Sequence, residues 1–123
     1  PLQVAGAFHT RYMAPAVDAL REAAAAIDPA DPELPIWTNK TGETVANGRD
    51  FLDLIVGQVA SPVRWDLTME SFGRAGVTGI IELAPAGALV GLAKRALTGV
   101  PTVAVKTPDD IPAARALLDG EAA

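Results

Sequence analysis

The sequence predicts an α/β fold built on a largely parallel sheet. Two observations carry that expectation. Short apolar runs alternate with longer segments whose apolar residues recur at helical spacing. That alternation is the mark of strand–helix–strand units, in which helices cover the faces of a parallel sheet. With 123 residues, 50% of them hydrophobic, the chain is also long enough to bury a core as one compact domain over residues 1–123.

Taken in order, Leu2 to Phe8 reads as a short buried strand. Met13 to Ile27 reads as a helix, with Pro15 in the first turn, where a missing N–H costs nothing. Met13, Val17, Leu20, Ala24 and Ile27 share one face of it. The prolines of "DPADPELP" end that helix; "LPIWTN" is a second strand and "NKTGE" a turn around Gly42. Arg49 to Ala60 is a helix with Phe51, Leu54, Ile55 and Val59 as its inner face, terminated by Pro62. A further helix, Asp66 to Arg74, stops at Gly76. "VTGIIEL" is a strongly apolar strand, "APAG" a loop in which Gly87 permits a tight bend, and Ala88 to Leu97 a helix. "VPTVAVK" is the last strand and Asp109 to Leu118 the last helix, with acidic residues where a helix N-terminus favours them.

Composition narrows the chemistry. A net charge of −5 without a basic run argues against a nucleic-acid partner. No apolar stretch approaches the ~20 residues that span a bilayer, and the N-terminus has no signal-peptide pattern, so a cytoplasmic location is expected. There is no cysteine, hence no disulfide or thiolate chemistry. One histidine and no carboxylate pattern with ligand spacing leave no metal site to expect. "APAGALVG" lacks the glycines and the Lys-Ser/Thr pair of a phosphate loop. The chain opens on Pro1 and runs straight into strand-like sequence, as a fragment would.

The single histidine, His9, is the residue with most chemistry to offer. It follows a strand, and in open α/β sheets functional groups gather at the carboxyl ends of strands. Position alone leaves two readings open, a general base or a histidine that caps the strand by hydrogen bonds. No nucleophile accompanies it. Ser61 precedes a proline and ends a helix, Ser71 lies inside one, and neither sits in a G-x-S-x-G turn. Thr10 adjoins His9, but neighbours in an extended strand point to opposite faces.

The stretches "GAFHT", "MAPA", "TNKTGE", "QVASPVRW" and "GVTGIIELAPAGALVGLAKR" occur in one order over Val4 to about Leu118. Together they resemble the C-terminal part of malonyl-CoA:acyl carrier protein transacylases, the acyltransferases of fatty acid and polyketide synthesis. The resemblance implies the C-terminal portion of a hydrolase-like three-layer domain. It implies a ping-pong transfer in which a serine takes the malonyl group from a coenzyme A thioester and passes it to the phosphopantetheine thiol of acyl carrier protein. No cofactor is implied, malonyl-CoA being a substrate. His9 matches the family's histidine base. The serine, the oxyanion-hole glutamine, the carboxylate-binding arginine and a small ferredoxin-like subdomain belong to an N-terminal half that this sequence lacks, so the fragment alone is expected to be inactive. Phe8 matches the residue associated with malonyl over methylmalonyl units, its ring filling the space of a 2-methyl group. Gly6, where polyketide enzymes often carry histidine, leans toward the stand-alone fatty acid type.

The resemblance also implies that His9 is oriented by the main-chain carbonyl of Gln58. The sequence supplies a reason. In a continuing helix that carbonyl would accept from residue 62, but Pro62 has no N–H and disfavours helical geometry at Ser61. The carbonyl is left free at a helix C-terminus, whose partial negative charge stabilises an imidazolium. On this reasoning the Gln58 side chain is dispensable. Lys94 and Arg95 are read as charges that suit a helix C-terminus, and more weakly as a face for the acidic carrier protein. Two other readings accompany the acyltransferase fragment: a free-standing α/β binding or interaction module without catalysis, and one piece of a nicked enzyme.

Overall fold

The computed structural model describes residues 6–121. They form five α-helices and four short strands among the described residues: α1 Ala14–Ala25, β1 Ile36–Trp37, β2 Thr44–Val45, α2 Gly48–Gln58, α3 Trp65–Arg74, β3 Ile80–Leu83, α4 Ala88–Ala96, β4 Thr102–Val105 and α5 Ile111–Leu118. Single 3-10 turns, Arg11–Met13 and Pro108–Asp110, lead into α1 and α5. The chain divides into two compact units, Pro1–Thr68 and Met69–Ala123.

In the first unit the strand read over Leu2 to Phe8 does not reach its end. Leu2 to Ala5 lie outside the described residues, and Gly6 to His9 form a bend and a turn. The physical reason is the histidine, whose φ of 61° places it in the left-handed region, incompatible with an extended strand. "LPIWTN" contributes only Ile36 and Trp37 to a strand. They pair antiparallel with Thr44 and Val45, a return strand too short to show in the periodicity. The turn between them is closed by Gly42 N–H on the Thr38 carbonyl (2.9 Å) and Thr38 N–H on the Glu43 carbonyl (3.0 Å). Gly42 sits at φ 71°, and a Cβ there would lie 2.5 Å from the Leu67 carbonyl carbon, so glycine is required on both counts.

Helix α2 begins one residue earlier than its periodicity indicates. The Asn47 side chain caps it by accepting from Asp50 N–H at 3.0 Å, and Asp31 accepts from Gly48 N–H at 2.9 Å. The expected inner face of Phe51, Leu54, Ile55 and Val59 is corrected by the packing: Val56 is the buried apolar residue, while Ile55 is exposed. Along α1 only Ala24 is buried; Leu20 and Ile27 of its apolar face are exposed. Periodicity located these helices but could not say which part of each apolar stripe finds a partner within this chain.

The second unit holds the parallel pairing that the sequence predicts. β3 and β4 pair in parallel with Ile80 opposite Thr102 and Glu82 opposite Ala104, joined through α4. The sheet character of the described residues is thus mixed, one parallel and one antiparallel pair. Helix α3 ends as predicted, with Gly76 at φ 68° and Val77 N–H returning to the Phe72 carbonyl at 3.1 Å.

Glu82 stands alone as a charge in the apolar run of β3, and it is buried. Its carboxylate accepts from the backbone N–H groups of Gly87 (2.9 Å), Leu89 (3.1 Å) and Val90 (2.9 Å), the open N-terminus of α4. Gly87, at φ 133°, makes the bend that brings those amides round. The Val90 amide above all, with those of Gly87 and Leu89, holds the Glu82 carboxyl below the usual carboxylate range. Asp110 is held low in the same way by the Thr107 and Lys106 amides at the start of α5. Both groups have depressed pKa values in the folded state. Their stabilisation is therefore complete above the unfolded carboxylate range and lost as pH falls through the lowered values. Thermal midpoints are expected to fall steeply below about pH 4, and Glu82→Gln to lower the midpoint at neutral pH while flattening that acid dependence. Melts followed by circular dichroism across this range check it; an unaltered acid limb in Glu82→Gln would assign the dependence to other carboxylates.

Candidate active site

His9 is held at the C-terminal end of α2 by two of its own groups. Its backbone N–H donates to the Val59 carbonyl at 2.9 Å. Its Nδ1 lies 2.9 Å from the Gln58 carbonyl oxygen. A carbonyl only accepts, so Nδ1 carries the proton in this bond and Nε2 is left with a lone pair. The structure thus brings together His9 and the Gln58 carbonyl, 49 residues apart in sequence.

The approach of His9 depends on the turn before it. Thr10 Oγ1 donates to the Ala7 carbonyl at 2.7 Å and accepts from Tyr12 N–H at 3.3 Å, closing the chain on both sides of the histidine. A left-handed histidine costs of order 1 kcal/mol, and the two carbonyl bonds at residues 58 and 59 hold it there. Phe8 is 57% exposed, and its ring edge lies over Gly6, where a Cβ would sit 3.1 Å away.

The end of α2 is where the sequence reasoning is both supported and corrected. With no N–H on Pro62, the Gln58 carbonyl has no helical donor four residues on. It is not bare, however: Ser61 N–H reaches it at 3.1 Å, a tighter turn at the helix end, and His9 takes the remaining lone pair. The Gln58 side chain, expected to be dispensable, is buried. Its Nε2 donates to the carbonyls of Ser61 (2.9 Å) and Pro62 (3.1 Å). Ser61 contributes too, its hydroxyl donating to the Gly57 carbonyl at 2.9 Å. Sequence reasoning missed these roles. The available signal was a glutamine and a serine flanking a proline-terminated helix, where backbone carbonyls need donors.

Ser71, inside α3, is buried and lies in the helix as predicted. Lys94 and Arg95 are exposed in the last turn of α4. Among the described residues no cluster of three His, Cys, Asp or Glu could hold a metal ion, and no helix is long and apolar enough to cross a membrane.

No family model matches the chain. Individual proteins do. A malonyl CoA-acyl carrier protein transacylase of Mycobacterium tuberculosis is 48% identical over 110 residues, covering 89% of this chain and 36% of that protein. One of Bacillus subtilis is 33% identical, covering 90% of this chain and 35% of that protein. Among solved structures, MCAT from Mycobacterium tuberculosis superposes with a TM-score of 0.83 over 89% of this chain and 36% of that one. MCAT from Streptococcus pneumoniae, 28% identical, gives 0.84 over 98% and 38%. A further neighbour, 31% identical with a TM-score of 0.80 over 92% of this chain and 37% of that one, is a type II PKS acyl-carrier protein in complex with its malonyl-transacylase.

Fold and sequence together liken the chain to one part of an α/β acyltransferase. It is similar over most of its length to malonyl CoA-acyl carrier protein transacylases, and spans a little over a third of the length of the relatives it matches.

Proposed function

We propose that this chain is the histidine-bearing part of an enzyme that moves a malonyl group from coenzyme A to the phosphopantetheine thiol of acyl carrier protein. Homology to malonyl CoA-acyl carrier protein transacylases supports the reaction. The observation that carries the role of His9 is the 2.9 Å contact between its Nδ1 and the Gln58 carbonyl, which leaves Nε2 free to take a proton. A neighbour solved as a complex of a malonyl-transacylase with its acyl-carrier protein supports the partner.

In this reading a serine in the part of the enzyme outside this chain attacks the malonyl thioester carbonyl. Nε2 of His9 receives the serine proton as the Oγ–C bond forms. The imidazolium is stabilised through Nδ1–H by the Gln58 carbonyl at the negative end of α2. The tetrahedral intermediate expels the thiolate of coenzyme A, which takes the proton from Nε2. The carrier-protein thiol then attacks the malonyl ester by the same sequence, and the serine recovers its proton from His9. No cofactor or metal is called on. The three-layer hydrolase-like domain and an N-terminal half bearing the serine, as partner of this segment, belong to the same proposal. By itself the segment is inactive for want of the nucleophile.

Phe8 is assigned to the acyl pocket, where its ring excludes a 2-methyl substituent by contact. A steric clash discriminates more strongly than the roughly 1–3 kcal/mol a missing methylene contact provides. The test is mass spectrometry of the full-length protein. With malonyl-CoA it is expected to gain one malonyl group and lose it to holo acyl carrier protein, and with methylmalonyl-CoA to gain little. Phe8→Ser is expected to raise methylmalonyl loading relative to malonyl by about tenfold or more. Absence of a malonyl adduct on the full-length protein would overturn the proposed reaction; an unchanged ratio in Phe8→Ser would remove Phe8 from the pocket.

A further inference from the structure

We propose that the Gln58 side chain is a positioning residue: its amide clamps the turn after α2 and so aims the Gln58 carbonyl at His9. The inference rests on the reading of His9 as the base. Its starting point is a defect in the helix. Pro62 removes the donor that would hold the last turn of α2 in line, and the helix stops at Gln58. The carbonyls of residues 58 and 59 are therefore set by whatever fixes the five residues up to Pro62.

Gln58 supplies that fixation. Its Nε2 has two protons, and both are used within the same turn, on the carbonyls of Ser61 at 2.9 Å and Pro62 at 3.1 Å. The turn is cross-tied by Ser61, whose N–H reaches the Gln58 carbonyl at 3.1 Å and whose hydroxyl reaches the Gly57 carbonyl at 2.9 Å. The glutamine is buried at 9% exposure, so its amide has few rotamers and little access to competing water. The outcome is a rigid pair of carbonyls, Gln58 on the imidazole and Val59 on the His9 backbone, each at 2.9 Å. His9 is in the left-handed region and depends on both. Loosening the turn lets the Gln58 peptide rotate and leaves Nδ1 without a fixed acceptor. The imidazole then samples both tautomers, and the one protonated at Nε2 cannot act as base.

Two side chains of glutamine's length separate this role from simple space filling. Methionine keeps the volume and donates nothing; ionised glutamate donates nothing and repels the two carbonyls. In the full-length acyltransferase, Gln58→Met and Gln58→Glu are expected to lower kcat for malonyl transfer by about 10- to 100-fold, as misplacement of a reacting group does, with KM for malonyl-CoA unchanged. Nitrogen-15 NMR of His9 is expected to change from a single Nδ1–H tautomer to a mixture. Folded variants with parental kcat and an unaltered His9 signal would overturn the proposal. A fall in kcat with the tautomer unaltered, or failure of both variants to fold, would assign the amide to stability alone and overturn it too. His9→Ala, assayed beside them, keeps the two readings apart. Parental activity there removes the base itself, whereas an inactive His9→Ala beside fully active Gln58 variants removes only the clamp.

Discussion

Replacing His9 with alanine in the full-length protein is expected to slow the proposed malonyl transfer by about 10²- to 10⁴-fold, the range for losing a positioned general base. The size follows from the geometry. His9 is tied through Nδ1 to a main-chain carbonyl that no side-chain substitution can remove, and its second nitrogen is the only imidazole lone pair this segment offers. In the proposed mechanism both half-reactions use the same proton acceptor, so acylation by malonyl-CoA and discharge to acyl carrier protein are expected to slow together. Single-turnover measurement of each half-reaction checks this. A rate close to the parent's in either one would remove His9 from that step. The substitution also removes the Nδ1 bond to Gln58 and leaves alanine in the left-handed region, so the unfolding midpoint is expected to fall by the equivalent of about 1 kcal/mol.

A large stability effect is expected at Gly48, the first residue of α2. A Cβ there would overlap the Ala30 carbonyl oxygen and lie 2.8 Å from its carbon and 3.1 Å from the Pro29 oxygen. These are backbone atoms, which cannot swing aside as a side chain would. Gly48→Ala is therefore expected to destabilise by about 2–4 kcal/mol, the cost of forced overpacking with backbone displacement. Gly91, inside α4, has nothing within 4 Å of its Cβ position, and Gly91→Ala is expected to be neutral or to stabilise by up to ~1 kcal/mol. Urea midpoints of the two variants decide the matter; equal midpoints would show that the segment before α2 yields freely. Since α2 carries Gln58 at its other end, Gly48→Ala is also expected to weaken catalysis by shifting the helix that holds His9.

Much of this arrangement was legible in the sequence. Apolar spacing and prolines placed every α-helix to within a few residues, because amphipathic periodicity and a missing N–H act locally. That the Gln58 carbonyl lacks its helical donor was legible for the same reason, Pro62 being four residues away, but its pairing with His9 came only from the family resemblance. The strand ending in Phe8 was not, because φ of His9 is set by bonds to residues 58 and 59 rather than by its neighbours. The work of Glu82 was legible only as an oddity, a lone charge in "IIEL". Its three amide partners are brought near by the turn at Gly87.

The sequence by itself determined the order of the α-helices, the end of α2, the family resemblance and the identity of the one histidine. Each depends on residue type and short spacing, where sterics and missing donors act between neighbours. Only the tertiary structure decided which faces are buried, that His9 sits in a left-handed turn, and that the Gln58 amide is spent on the Ser61 and Pro62 carbonyls. Those outcomes depend on which polar groups must be satisfied once water is excluded, and that is settled by what the folded chain brings within 3 Å or so of each donor.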